Sequence, residues 1–146
     1  MARDQNVQEV QPEAPSIDDL GVQEFLNGFA EALTEGDGDA IAEMWEMPAF
    51  VLGQDMACVV SDPEEVAEFF GGARKQYREI GITNTRAEIV RLDEITDQMS
   101  MVRVRWPYLD PDGQEMGAET STYTLVRRGD HWKVRIAVLH GKEAVN

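Results

Sequence analysis

The segment from Gly117 to His140 constrains the fold more than any other part of the chain. It contains two stretches rich in β-branched and aromatic residues, GAETSTYTLVRR and HWKVRIAVLH, which are separated by Gly129 and Asp130. This pattern predicts a β-hairpin with a two-residue turn. Because side chains alternate between the two faces of a strand, the register of this hairpin decides which of them lie together.

A two-residue turn fixes the cross-strand pairs of the predicted hairpin. The pairs on one face are then Leu125 with Val134, Tyr123 with Ile136, Ser121 with Val138, and Glu119 with His140. This face is apolar beside the turn and polar at its far end. Such a distribution is expected for the lining of a cavity that is open at one end, so the hairpin predicts both a fold element and a pocket.

Three helices are predicted before the strands. The first follows a capping box at Ser16–Asp19 and ends at Gly36, the second is short and ends at Pro48, and the third begins at Ser61–Glu65. Gly71 and Gly72 lie in the middle of the third helix, where they predict close packing or a local irregularity.

Short strands are predicted over residues 49–53 and 56–60, and longer ones over 83–92 and 99–106. The element order indicates an α+β fold with helices packed on one face of an antiparallel sheet. Residues 1–15 are polar and aperiodic, which predicts a disordered or loosely ordered tail before a single domain over 16–146.

Composition excludes several classes of function. The formal charge of −15 and the pI near 4.4 argue against binding to nucleic acid or to an anionic membrane. The single Cys58 cannot form an internal disulfide, and no Cys/His cluster has metal-ligand spacing, so neither a metal nor another cofactor is predicted. No long apolar stretch or signal peptide is visible, so we expect a cytoplasmic location and no membrane association.

Three motifs in the chain are informative together: FAEALTEGDGDAIAEMW from Phe29, the helix start DPEEV from Asp62, and the closing segment from Tyr123 through RRGDHWKV. They resemble the nuclear transport factor 2-like superfamily, which includes SnoaL-like polyketide cyclases, ketosteroid isomerases and limonene epoxide hydrolases. The resemblance covers about residues 16–141. It implies three N-terminal helices packed on a strongly curved, mainly antiparallel mixed sheet, the cystatin-like cone, with a deep apolar cavity and frequent homodimers.

The catalytic patterns of these enzymes do not transfer to this sequence. The resemblance to ketosteroid isomerase places a catalytic aspartate near Gly53 and a second acid near Tyr123 or Thr124, and none of these positions carries a carboxylate. Asp55 lies two positions beyond the first, where a turn aspartate is usually structural. The Asp-Arg-Asp arrangement of limonene epoxide hydrolase cannot be assigned.

Six residues are expected to line the cavity and contact a ligand: Trp45, Phe50, Trp106, Glu119, Tyr123 and His140. Core packing is the alternative role for the aromatic residues. Glu119 and His140 form the expected carboxylate–imidazole pair for ligand binding or proton transfer.

Three functions follow from this cavity. The first is binding of a small hydrophobic molecule, the second is a non-catalytic dimerisation or partner-binding module with a filled cavity, and the third is an isomerase, cyclase or hydrolase that uses Glu119 and His140. Whether the protein is an enzyme stays open. Four basic residues are expected on the outer sheet face, namely Arg103, Arg105, Lys133 and Arg135. They predict either cross-strand pairing with carboxylates or a homodimer interface on that face.

Overall fold

Residues 21–143 form three helices and a six-stranded mixed sheet, as the sequence predicted. A computed structural model of the protein describes residues 21–143. The helices are α1 (Val22–Glu35), α2 (Gly38–Glu43) and α3 (Pro63–Glu79). The strands are β1 (Trp45–Leu52), β2 (Ala57–Val60), β3 (Glu88–Thr96), β4 (Met99–Leu109), β5 (Glu115–Arg128) and β6 (His131–Lys142).

The sheet has the strand order β2-β1-β6-β5-β4-β3. Only β1 and β6 are parallel neighbours among the described strands, and the other adjacent pairs are antiparallel. The strand predicted over residues 83–92 begins later, at Glu88, and is β3. Before it, Asn84 makes only an isolated bridge to Leu109. The hydrophobic core lies between the helices and the inner face of the sheet, where Leu26, Phe29 and Leu125 are almost fully buried.

The ends of the longer helices follow from local sequence. At the predicted start of α3, Asp62 accepts a hydrogen bond from the Glu64 amide, and Glu65 accepts one from the Asp62 amide, which completes a capping box. Gly36 ends α1 at φ 70°, a left-handed conformation that glycine adopts without strain. The capping box predicted at Ser16–Asp19 lies outside the described residues.

The predicted extent of the second helix was wrong. It ends at Glu43, and Trp45 begins β1 instead of continuing the helix. Pro48 lies inside β1, where the pairing of β1 with β6 shifts between Trp45 and Phe50. A strand tolerates proline at such an irregularity because the missing amide donor breaks no regular ladder.

The register of the β5–β6 hairpin was predicted correctly only near its turn. Leu125 pairs with Val134 as expected, and the turn comprises Gly129 and Asp130. Beyond Leu125 the pairing shifts, so Tyr123 lies opposite Ala137 and Ser121 opposite Leu139. A β-bulge explains the change, since one extra residue in β6 exchanges the inward and outward positions of that strand.

The bulges place Ile136 and His140 differently from the prediction. Ile136 pairs with Thr124 on the outer face of the sheet, where it also neighbours Phe50. A second shift occurs between Thr120 and Ser121, and it leaves His140 without a cross-strand partner. His140 is exposed, and its Nε2 lies 2.7 Å from the hydroxyl of Thr122. The predicted inward orientation of His140 and Ile136 was therefore wrong.

The two glycines in α3 do not serve close packing. The helix is unbroken from Pro63 to Glu79, and a Cβ placed on Gly71 or Gly72 would meet no atom within 4 Å. The expectation of close packing or an irregularity was therefore wrong. Among the helices of residues 21–143, none combines the length and apolar character that crossing a membrane requires.

Candidate ligand-binding cavity

A cavity of about 450 Å³ lies between α3 and the inner face of the sheet. Its walls are mainly apolar and aromatic, and they include Phe29, Leu33, Trp45, Phe70, Trp106 and Tyr123. Aromatic rings from the helices and the sheet meet edge to face, with the Phe29 and Trp106 centroids 5.6 Å apart. The cavity is thus bounded by the same side chains that form the core.

One wall is a single stripe of α3. Val66, Phe70, Ala73 and Tyr77 recur at three- or four-residue spacing and all line the cavity. Phe69 lines it too, although 64% of its surface is exposed. Met56 and Val59, from the β1–β2 hairpin, are similarly exposed and line the cavity. We therefore place the opening between α3 and this hairpin, with an apolar rim.

A carboxylate held by two phenols forms the polar part of the wall. Tyr77 donates a hydrogen bond of 3.0 Å to Glu119 Oε1, and Tyr108 donates one of 2.5 Å to the same oxygen. The rings of Tyr77 and Tyr108 lie 5.4 Å apart between centroids. An ionised carboxylate is an acceptor only, so it suits two converging donors. We call these three residues the Glu119 cluster.

Burial and the charge of Glu119 both disfavour ionisation of the two phenols. Burial is the larger effect on Tyr77, and with the nearby carboxylate it raises the pKa of Tyr77 to about 12. The pKa of Tyr108 is also raised, first by burial and then by its hydrogen bond to Glu119. Both tyrosines therefore remain hydrogen-bond donors at neutral pH.

Tyr123 forms a second polar position in the wall. Trp106 Nε1 donates a hydrogen bond of 3.0 Å to the Tyr123 hydroxyl. Burial raises the pKa of Tyr123 to about 12. This side chain is therefore protonated at neutral pH and is held in place by a buried partner.

Four of the six predicted site residues lie together in the cavity wall, namely Trp45, Trp106, Glu119 and Tyr123. The other two lie outside it. Phe50 is on the outer face of the sheet and is 39% exposed, and His140 is on the outer face beside Thr122. Glu119 pairs with Lys142 across the hairpin, so the expected carboxylate–imidazole pair does not form. Ligand contact by the four lining residues stays a prediction.

Sequence reasoning missed Tyr77 and Tyr108. In the sequence, Val66, Phe70, Ala73 and Tyr77 recur at helical spacing, which correctly predicts one inner stripe on α3. The hydroxyl of Tyr77 on that stripe is a signal that the stripe faces a polar group. Tyr108 follows Pro107, which was expected to end its strand, but β4 continues to Leu109. No local signal connects either tyrosine to Glu119, because the contacts join separate elements.

Positive charge in the wall comes from Arg74 and Arg78, both on α3. Arg74 donates a 3.2 Å hydrogen bond to the carbonyl oxygen of Thr34, while Arg78 is exposed. Neither forms an ion pair with Glu119 within residues 21–143.

Asp55 is exposed in the β1–β2 turn and does not line the cavity. Over the same residues, no group of three or more His, Cys, Asp or Glu side chains is placed to hold a metal ion.

The side chains of the cavity wall determine what the cavity can bind. It can enclose an apolar molecule, donate hydrogen bonds from phenols and accept a hydrogen bond or a proton at Glu119.

A family model described as NTF2-like protein (DUF6841) matches residues 18–142. No curated protein matches the chain.

Solved structures with a similar fold include proteins of several descriptions. A domain of unknown function with a cystatin-like fold from Nostoc punctiforme has a TM-score of 0.69 and 15% identity, over 90% of this chain and 82% of that one. An NTF-2 like protein of unknown function from Shewanella oneidensis has a TM-score of 0.63 and 16% identity, over 85% and 98%. A ketosteroid isomerase-like protein from Erwinia carotovora has a TM-score of 0.63 and 15% identity, over 88% and 99%. At these identities the likeness shows the fold alone.

Proposed function

The chain belongs to the NTF2-like protein family, and we propose that it binds a small hydrophobic molecule in the cavity beneath α3. The observation that carries this proposal is the cavity itself, about 450 Å³ in volume, with apolar and aromatic walls. Ligand pockets of roughly 300–1,000 Å³ with a few convergent polar groups are typical of small-molecule sites. The Glu119 cluster and Tyr123 supply those polar groups.

The volume favours ligand binding over a filled-cavity module. Side chains from α1 and α3 pack against each other, as Phe29 and Phe70 do at 6.1 Å between ring centroids, yet they leave the space beneath α3 open. Exposed apolar side chains at the rim give an apolar molecule a favourable entry surface, since burying them releases ordered water.

The proposal is tested with a neutral probe, phenylbutanol, and a variant that fills the cavity. Ala73 lines the cavity from α3, so Ala73→Trp places a large side chain in the ligand space. Gln76→Trp is the matched control, because Gln76 is exposed on the same helix and does not line the cavity. Calorimetric titration measures the binding of phenylbutanol to each protein.

We expect the natural protein and Gln76→Trp to bind phenylbutanol with equal affinity and Ala73→Trp to lose at least about tenfold. Thermal unfolding gives an independent readout, because a ligand that binds only the folded state raises the melting temperature. Equal affinity in the Ala73→Trp and Gln76→Trp proteins would contradict a site in this cavity.

A second proposal concerns the outer face of the sheet, where we infer a homodimer interface. Register places Phe50, Ile136, Thr124 and Met101 in one row across four neighbouring strands. Phe50 and Met101 are 39% and 41% exposed. Such a self-complementary apolar row suits the twofold contact of identical subunits.

The basic residues predicted for this interface are weaker evidence for dimerisation than their charges suggested. Arg105 is held by Glu88, Glu115 and Glu143, and Arg135 by Glu46. Lys133 donates a hydrogen bond to the Glu43 carbonyl oxygen. These contacts lie within the subunit, so the apolar row is the stronger argument for dimerisation.

Sedimentation of Met101→Glu tests the interface. The change introduces a carboxylate at one end of the row without removing a hydrogen bond of the native side chain, and we expect a monomer. Met116→Glu, at an exposed methionine nearer the start of β5, is the matched control and should remain dimeric. An unchanged dimer in Met101→Glu would reject this interface.

A further inference from the structure

We propose that the molecule bound in the cavity is a hydrophobic amine whose ammonium group binds at Glu119, beside Tyr77 and Tyr108. This inference rests on the proposed function, because it names the chemical class of the ligand for the same cavity. It depends on three observations: the unused acceptor oxygen of Glu119, the aromatic rings around it and the absence of an ion pair to Glu119 in the described part of the chain.

Glu119 has an oxygen available to a ligand. Both phenols donate to Oε1, at 3.0 Å from Tyr77 and 2.5 Å from Tyr108. Within residues 21–143, Oε2 accepts no hydrogen bond, although a carboxylate has about four acceptor positions. The second oxygen can therefore accept a hydrogen bond from a donor in the cavity, and a charged donor gives the stronger bond.

The one cationic residue opposite Glu119 across the hairpin is Lys142, which is exposed. No Lys or Arg among the described residues forms an ion pair with it. Burial raises the pKa of Tyr77, Tyr108 and Tyr123, and the charge of Glu119 adds to the rise in each case. A partly buried carboxylate in an apolar wall is stabilised by a cation, and a protonated amine supplies both the charge and the donors.

Aromatic rings around the carboxylate reinforce the preference for a cation. Tyr77 and Tyr108 meet Glu119 through their hydroxyl groups, and Trp106, its cross-strand partner, lines the same cavity. The faces of such rings attract ammonium groups within about 6 Å. The apolar remainder of the ligand then contacts Phe29, Phe70 and the other apolar lining residues.

Arg74 and Arg78 make an anionic ligand the competing possibility. Arg74 is engaged with the Thr34 carbonyl oxygen and Arg78 is exposed, so neither presents a buried, unpaired guanidinium to the cavity. The formal charge of −15 also favours the approach of cations over anions. We therefore expect an amine to bind more tightly than a carboxylate of the same skeleton.

Three probes with one skeleton separate these possibilities: phenylbutylamine, phenylbutanol and phenylbutyrate. At neutral pH they carry a positive charge, no charge and a negative charge, since simple amines titrate near the lysine value and carboxylates near that of glutamate. Calorimetry with the natural protein should give an affinity for the amine at least about tenfold above that for phenylbutyrate. This comparison needs no variant, so it does not depend on whether a variant folds.

Glu119→Gln then identifies the group responsible. The amide keeps the shape of the side chain and an acceptor for the tyrosines but removes the charge, so amine affinity should fall at least about tenfold while phenylbutanol affinity changes by less than about twofold. Glu94→Gln is the matched control, because Glu94 is exposed on β3 and does not line the cavity. It should leave all three affinities unchanged.

The outcomes distinguish this inference from the function on which it rests. Binding of phenylbutanol or phenylbutyrate at least as tightly as the amine would overturn the amine assignment and leave the cavity site standing. Amine affinity that Glu119→Gln does not lower would also overturn it. Failure of all three probes to bind would instead contradict the proposed function of the cavity.

Discussion

Tyr108 donates a 2.5 Å hydrogen bond to Glu119, and these two residues lie on neighbouring strands of the sheet. The same oxygen of Glu119 accepts a hydrogen bond from Tyr77 on α3. The Glu119 cluster therefore connects the helix above the cavity to the sheet beneath it. Its position makes the cluster both a structural contact and the main polar feature of the cavity.

The first prediction concerns ionisation of the tyrosines. The chain contains three tyrosines, and each of them has a pKa raised above the ordinary value of 10, chiefly by burial. The ultraviolet absorbance of phenolate in the folded protein should therefore show a midpoint at least about one pH unit above that of the protein unfolded in urea. A native tyrosine that titrates near its ordinary value would contradict the described environments.

The second prediction concerns stability at alkaline pH. The folded state holds the Tyr77 proton more tightly than the unfolded state, with a pKa of about 12 against 10. The unfolded state therefore loses this proton first, and the free energy of unfolding should decrease as pH rises from 10 to 12. Below that window Tyr77 is protonated in both states, so it does not make the free energy of unfolding depend on pH.

Tyr77→Phe isolates this contribution. The variant should lose about 1 kcal/mol of stability at neutral pH through loss of the hydrogen bond to Glu119. Its decline in stability above pH 10 should be shallower, because Phe has no proton to lose. Urea unfolding of both proteins at several alkaline pH values measures the two slopes, and equal slopes would refute the assigned shift.

The third prediction concerns the glycines of α3. Neither Gly71 nor Gly72 has an atom within 4 Å of the position that a Cβ would occupy. Alanine therefore fits without a clash, and it costs less backbone entropy than glycine in a helix. Each of Gly71→Ala and Gly72→Ala should raise the free energy of unfolding by up to about 1 kcal/mol.

Gly38→Ala is the contrasting variant for this test. Gly38 is also helical, but an added Cβ would lie 2.2 Å from the carbonyl oxygen of Ala67. Because that contact is with backbone, the substitution should destabilise the protein. Urea unfolding measures all three variants, and stabilisation by Gly38→Ala or destabilisation by Gly71→Ala would show that α1, α2 and α3 pack differently.

The hairpin shows how far sequence alone specifies the site. The glycine-containing turn and the alternation beside it were sufficient to predict the pairing of Leu125 with Val134. The bulges farther from the turn have no comparable signal in the sequence. They move Ala137, which pairs with Tyr123, into the inward position that was predicted for Ile136. A local pattern thus predicted the element but not the side chains that its far half presents to the cavity.

The polar cluster could not be predicted for a related reason. Helical spacing placed Tyr77 on the inner stripe of α3, and strand alternation placed Glu119 on the cavity side of β5. Their hydrogen bond depends on how far α3 extends across the sheet, which is a property of tertiary packing. The same packing leaves the space that constitutes the candidate site.

The tryptophan indole groups provide the most direct test of the cavity as a binding site. Trp45 and Trp106 line the cavity, whereas Trp132 is buried outside it beside Arg127, and these are the three tryptophans of the chain. Titration with phenylbutanol, followed through the indole N–H resonances by NMR, should shift the signals of Trp45 and Trp106 and leave that of Trp132 in place. A titration that shifts only Trp132, or none of the three, would contradict ligand binding in this cavity.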